Sequence, residues 1–80
     1  MIPTVITASA LVERLNCRLV KEHTMIRRSY SREFGSFYAI DYSTGILIER
    51  NVNIEKLGRE LGVLGSSEEV YDPPGMLRSA

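Results

Sequence analysis

The spacing of apolar residues changes period twice along this chain. Over residues 7–22, Ala8, Leu11, Val12, Leu15 and Leu19 recur at intervals of three and four, which gathers them on one face of a helix. Arg14, Arg18 and Lys21 fall on another face. Thr7 stands where its hydroxyl can accept from a free backbone N–H of the first turn. The pattern frays at His23-Thr24, where a histidine would sit favourably against the negative end of the helix dipole.

Between Thr24 and Val52 the period falls to two. Met25-Ile26 and Ser29-Tyr30 suggest a first strand, weakened by Arg27 and Arg28. Phe37-Tyr38-Ala39-Ile40-Asp41-Tyr42 is a stronger one, aromatic and partly β-branched, with Gly35 before it and Ser43-Thr44-Gly45 after it. Ile46-Leu47-Ile48-Glu49-Arg50 follows at once, so the two runs predict a β-hairpin whose glycine supplies a positive φ. Alternation puts Tyr38, Ile40 and Tyr42 on one face and Phe37, Ala39 and Asp41 on the other. Ile40 is expected in the core, and an aspartate there is expected to unfold the chain.

Helical spacing returns at Asn53, a good N-cap, with Val52 placed to staple against Leu57. Ile54, Leu57, Leu61 and Leu64 form the expected buried stripe, with Leu57 as intolerant of a charge as Ile40. Gly58 within this helix suggests close packing on the sheet, and Gly62 a left-handed stop. After Gly65 the run Ser-Ser-Glu-Glu-Val-Tyr-Asp-Pro-Pro-Gly has little apolar content and two prolines. The reading is α+β: an N-terminal helix, a two- or three-stranded antiparallel sheet with a β-hairpin, a short C-terminal helix and a flexible tail. Residues 1–65 form a single domain and residues 66–80 the tail.

Eighty residues with 44% apolar content allow one core of limited stability. Ten basic and ten acidic side chains cancel, which weighs against a duplex-binding domain resting on bulk charge. The charge is nevertheless uneven: Arg14, Arg18, Lys21, Arg27 and Arg28 oppose two acids in the first 30 residues, and Glu68, Glu69 and Asp72 dominate the last 16. No apolar run reaches membrane-spanning length, and no secretory signal is visible. A lone Cys17 fits a reducing cytoplasm.

Catalytic chemistry finds little purchase. One His and one Cys make neither a zinc site nor an oriented nucleophile–base pair. No phosphate-cradling glycine loop opens a helix after a strand, and the adjacent carboxylates Glu68-Glu69 lie in the tail. We therefore expect no enzyme, no catalytic residues, no cofactor and no metal. Arg27, Arg28 and Arg32, with Tyr30 between them and Tyr38 and Tyr42 nearby, instead suit a partner-binding surface: tyrosines supply contact area, arginines pair with acidic groups. A second reading takes residues 7–17 as the start of a helix-turn-helix, residues 19–29 as its recognition helix and 37–50 as a wing. That is a winged-helix-like DNA-binding regulator of a mobile element. Nucleic acid ranks below protein as the expected partner, and a homodimer through an exposed sheet edge is a third route.

The stretch from Gly45 to Leu61, Gly-Ile-Leu-Ile-Glu-Arg-Asn-Val-Asn-Ile-Glu-Lys-Leu-Gly-Arg-Glu-Leu, resembles the C-terminal part of small phage anti-CRISPR proteins directed at type I systems. In both, a glycine-led apolar strand runs through charged residues into a Val-[Asn/Asp]-[Ile/Leu] helix start. The resemblance implies a non-enzymatic inhibitor in the host bacterial cytoplasm. It would bind a subunit of the CRISPR surveillance complex, Cascade, and block DNA binding or nuclease recruitment. This chain departs from the family in lacking a strongly acidic surface and in carrying the extra C-terminal segment.

Overall fold

The computed structural model describes residues 3–72. Strand β1 (Thr4–Thr7) leads directly into α1 (Ala8–Leu19), which tightens into one 3-10 turn over Val20–Glu22. Strands β2 (Thr24–Arg28), β3 (Phe37–Asp41) and β4 (Ile46–Glu49) follow, then α2 (Ile54–Glu60) and β5 (Glu68–Tyr71). The chain is α+β, with the helices and the antiparallel hairpin where the apolar spacing puts them. The caps act as their side chains dictate. Thr7 Oγ1 accepts from the Ala10 N–H at 3.1 Å, and Asn53 Oδ1 accepts from the Lys56 N–H at 3.0 Å. Gly62, at φ +75°, ends α2 in the left-handed conformation, and the Val63 N–H returns to the Gly58 carbonyl at 2.9 Å.

β2, β3 and β4 form an antiparallel sheet in that order. Thr24–Arg28 is one uninterrupted strand despite its two arginines. It occupies the place of the recognition helix in the winged-helix reading, and no helix runs through residues 24–28. Opposed residues share a face, so Ile26↔Ala39 and Arg28↔Phe37 look one way, and Met25↔Ile40 and Arg27↔Tyr38 the other. Between β3 and β4 the register runs Ile40↔Leu47 and then Ala39↔Glu49, leaving Ile48 as an extra residue in a bulge.

Helix α1 packs along β2 on the face of Ile26 and Ala39. Ala8, Leu11, Leu15 and Leu19 meet Ile26, Phe37, Ala39, Val52, Ile54 and Leu64 in one core. Leu11 and Leu15 lose all contact with water, each contributing about 1.5–3 kcal/mol on burial. Helix α2 leans on α1 rather than on the sheet. A Cβ at Gly58 would lie 3.0 Å from Leu11 Cδ1 and 3.2 Å from Leu64 Cβ, so the close approach expected of this glycine is made to the first helix. Ile40 and Leu57, expected in the core, are only half-buried. The small Ala39 takes the inward position in the core, beside Ile26 of β2, and Ile40 turns to the opposite face.

The segment read as tail from residue 66 contains a strand. β5 runs parallel to β1 in a second, two-stranded sheet, with Thr4↔Glu68 and Ile6↔Val70 in register. The tail boundary is corrected accordingly, and residues 73–80 lie outside the described residues. The thin apolar content of β5 is supplemented by arginines. Arg14 donates to Glu68 Oε1 at 2.8 Å and to the Val63 carbonyl at 3.0 Å. Arg59 donates to the carbonyls of Gly65 at 2.9 Å and Glu68 at 3.0 Å. Arg28 takes Asp72 bidentately at 2.8 and 3.3 Å. No described helix is long and apolar enough to cross a membrane.

Candidate interaction surface

Among the described residues, the sheet has a helix on one side and no element on the other, so its second face meets solvent. Cα atoms span only 15 Å in the thinnest direction, the depth of one helix layer on one sheet. The uncovered face carries Met25, Ile40 and Leu47 in a row across all three strands, all half-buried. A second row holds Arg27 opposite Tyr38. At the free edge of β4, Ile46, opposite Asp41 and so on the helix side, and the bulge residue Ile48 are 65% and 53% exposed.

The two sheet edges are treated differently. On β2, Ile26 donates its backbone N–H to Asn16 Oδ1 at 2.7 Å, and its carbonyl accepts from Asn16 Nδ2 at 3.2 Å. A side-chain amide of α1 thus stands in for a neighbouring strand, and that edge is closed at its centre. On β4 the Ile48 bulge breaks the regular ladder, a common way of discouraging edge pairing.

Of the six residues that the sequence marks for partner binding, the structure groups four at one end of the sheet. Arg27 and Tyr38 face each other across β2 and β3, and exposed Tyr30 and Arg32 lie on the loop closing that end. Two stand apart. Arg28 points to the helix side, over the Phe37 ring at 4.7 Å and paired with Asp72, where it fastens the end of β5. Tyr42 donates its hydroxyl to the Val20 carbonyl at 3.1 Å and packs against His23 with ring centroids 5.6 Å apart. His23 itself is held at φ +57°, which reverses the chain from the 3-10 turn into β2.

Sequence reasoning missed two members of this end. Phe34 packs against Tyr38 with ring centroids 5.3 Å apart, and the Arg50 guanidinium lies 5.8 Å from the Phe34 ring centre. Their placement rests on Gly35. It sits at φ +76°, and a Cβ there would collide with Asn51 Oδ1. The Asn51 N–H meanwhile donates to the Phe34 carbonyl at 2.9 Å, so the β2–β3 loop and the β4–α2 connection are locked together. The glycine before a strong strand was the available signal; its long-range contact with Asn51 was not.

Several charges elsewhere are paired. The Arg14 hydrogen bond, the Gly65 N–H and the Arg14 and Arg59 charges together hold the Glu68 carboxyl below its ordinary pKa. The same hydrogen bond to Glu68 raises Arg14. At the hairpin turn the Ser43 hydroxyl, then the backbone N–H groups of Ser43 and Thr44, lower Asp41. Among the described residues no three His, Cys, Asp or Glu side chains converge as metal ligands, and Cys17 is a free, exposed thiol. No protein-family model, curated protein or solved structure was found to match this chain.

Proposed function

We propose that this chain acts by stoichiometric binding to a protein partner rather than by turnover, and that its docking surface is the uncovered face of the β2–β3–β4 sheet. The observation that carries the reading is the half-buried Met25–Ile40–Leu47 row, which crosses all three strands on the face opposite the one that α1 covers. Covering such a row with a partner's apolar side chains removes it from water at about 25 cal/mol per Å². Arg27 and Tyr38 border the row and supply the arginine and tyrosine contacts typical of interface anchors.

The form that the resemblance over Gly45–Leu61 gives to this reading is an inhibitor of a type I CRISPR surveillance complex, acting on one of its subunits in the host cytoplasm. Use of the chain as a winged-helix DNA reader has less support, because residues 24–28 are a strand. Self-pairing along β4 is disfavoured by the Ile48 bulge.

The test is protection of phage. The chain, expressed in hosts carrying active type I systems, is expected to restore plaque formation on at least one of them, and Ile40→Asp is expected to lose that protection while remaining folded. Equal plating with and without the chain across the panel contradicts the inhibitor form.

A further inference from the structure

The net charge of zero conceals a local segregation at the loop end of the open sheet face. Arg27, Arg32 and Arg50 lie there with Tyr30, Phe34 and Tyr38; the neighbouring carboxylates are Glu49, at the end of β4, and Glu33, loosely paired with Arg50 at 4.0 Å. Arg27 and Arg32 have no salt-bridge partner among the described residues.

We propose that this end of the sheet binds single-stranded nucleic acid, with the rings stacking unpaired bases and the arginines neutralising the phosphates. This goes beyond the protein-docking reading, which is carried by the Met25–Ile40–Leu47 row; Arg27 and Tyr38 border both surfaces, so Tyr30→Ala on the loop and Ile40→Asp on the row distinguish the two.

Three features select this ligand. A sheet face bearing aromatic side chains offers a platform on which exposed bases lie flat, whereas the bases of a duplex are already stacked on one another. Guanidinium groups flank a pair of rings: Arg27 lies opposite Tyr38, Tyr38 packs against Phe34, and Phe34 lies beneath Arg50. An acidic peptide would engage the arginines and leave the Tyr30 and Tyr38 rings unused. The platform is also rigid at its base, because Gly35 and Asn51 lock the Phe34 loop to the β4–α2 connection. Tyr30, 66% exposed, stands ready on the same loop. Sheet platforms of this kind stack about two or three bases.

The probe is a fluorescein-labelled eight-residue oligothymidylate, titrated with the full chain and read by anisotropy. We expect saturable binding whose affinity falls with salt at a log–log slope near −2, about 0.7 for each of three phosphate contacts. Tyr30→Ala, an exposed loop position, and Tyr38→Ala are each expected to weaken binding about tenfold with little change in slope. Arg27→Ala is expected to reduce the slope by about 0.7. A hairpin duplex of the same length is expected to bind more weakly. No saturation at the highest soluble concentration overturns the proposal. So does equal affinity for the duplex, or binding insensitive to Tyr30→Ala and Arg27→Ala together, or displacement of the oligonucleotide by an equimolar oligoglutamate peptide. Circular dichroism of each variant separates loss of binding from loss of fold.

Discussion

Asn16 and Ile26 are joined by two hydrogen bonds, a side-chain amide on α1 paired in both directions with the backbone of β2. This one contact fixes helix to sheet in register and closes the strand edge nearest the helix. It also explains a polar residue on the flank of an otherwise apolar stripe. Asn16→Leu would leave a partly buried N–H and C=O without partners, at a cost of about 1–3 kcal/mol. Asn16→Asp would keep the acceptor but set a carboxylate against the Ile26 carbonyl. We expect both variants to melt lower than wild type, with amide exchange at Ile26 accelerated in the leucine variant. An unchanged exchange rate at Ile26 would contradict the role given to this pair.

Gly58 sets how closely the two helices approach. An alanine would gain up to about 1 kcal/mol of helix propensity but would place its methyl against Leu11 and Leu64, both core residues. Leu64 is met at its Cβ, which cannot swing away. We expect Gly58→Ala to lower the melting temperature and Gly58→Val to lower it further. A more stable alanine variant would show that the helices can separate without penalty.

Acid should loosen β5 in particular. The folded chain holds the carboxyls of Glu68 and Asp41 below their ordinary pKa values. Such groups contribute stability that is complete above their unfolded pKa and is lost as pH falls through the folded one. Melting temperature is therefore expected to decline on the acid side, and Glu68→Gln to be less stable than wild type at neutral pH but to lose less on acidification. Thermal scans across the acidic range decide this. Parallel acid profiles for variant and wild type would remove Glu68 from the account.

Leu11, Leu15 and Leu19 announced the first helix because a four-residue interval is a strong local signal, and Thr7, Asn53 and Gly62 marked its start and the limits of the second. The hairpin was equally legible from its alternating residues and its glycine. β1 and β5 were not. Their parallel pairing joins residues 64 positions apart, and β5 is held by Arg14, Arg28 and Arg59 rather than by an apolar run of its own. The inward face of β3 was ambiguous for a different reason. Alternation divides Phe37 and Ala39 from Tyr38 and Ile40, but helix proximity, which no local pattern contains, decides which pair is covered. Four of the six expected contact residues share one end of the sheet. Arg28 and Tyr42 were diverted by Asp72 and by the Val20 carbonyl, contacts made only once the chain has folded.

The two faces of the sheet should answer differently to the same substitution. Ile26 is 2% exposed against α1, so Ile26→Asp buries an unpaired charge and is expected to unfold the chain. Ile40→Asp places its carboxylate on the open face and is expected to leave a cooperative melting transition. Circular dichroism melts of the pair check this. Unfolding by both would mean that the second face is not open.

Whether the open face is the docking surface is tested most directly by size-exclusion co-elution with a purified type I surveillance complex from a host on which the chain restores plaque formation. Wild type is expected to travel with the complex at a fixed stoichiometry, and folded Ile40→Asp to elute alone. Retention of Ile40→Asp at the wild-type ratio would contradict the account.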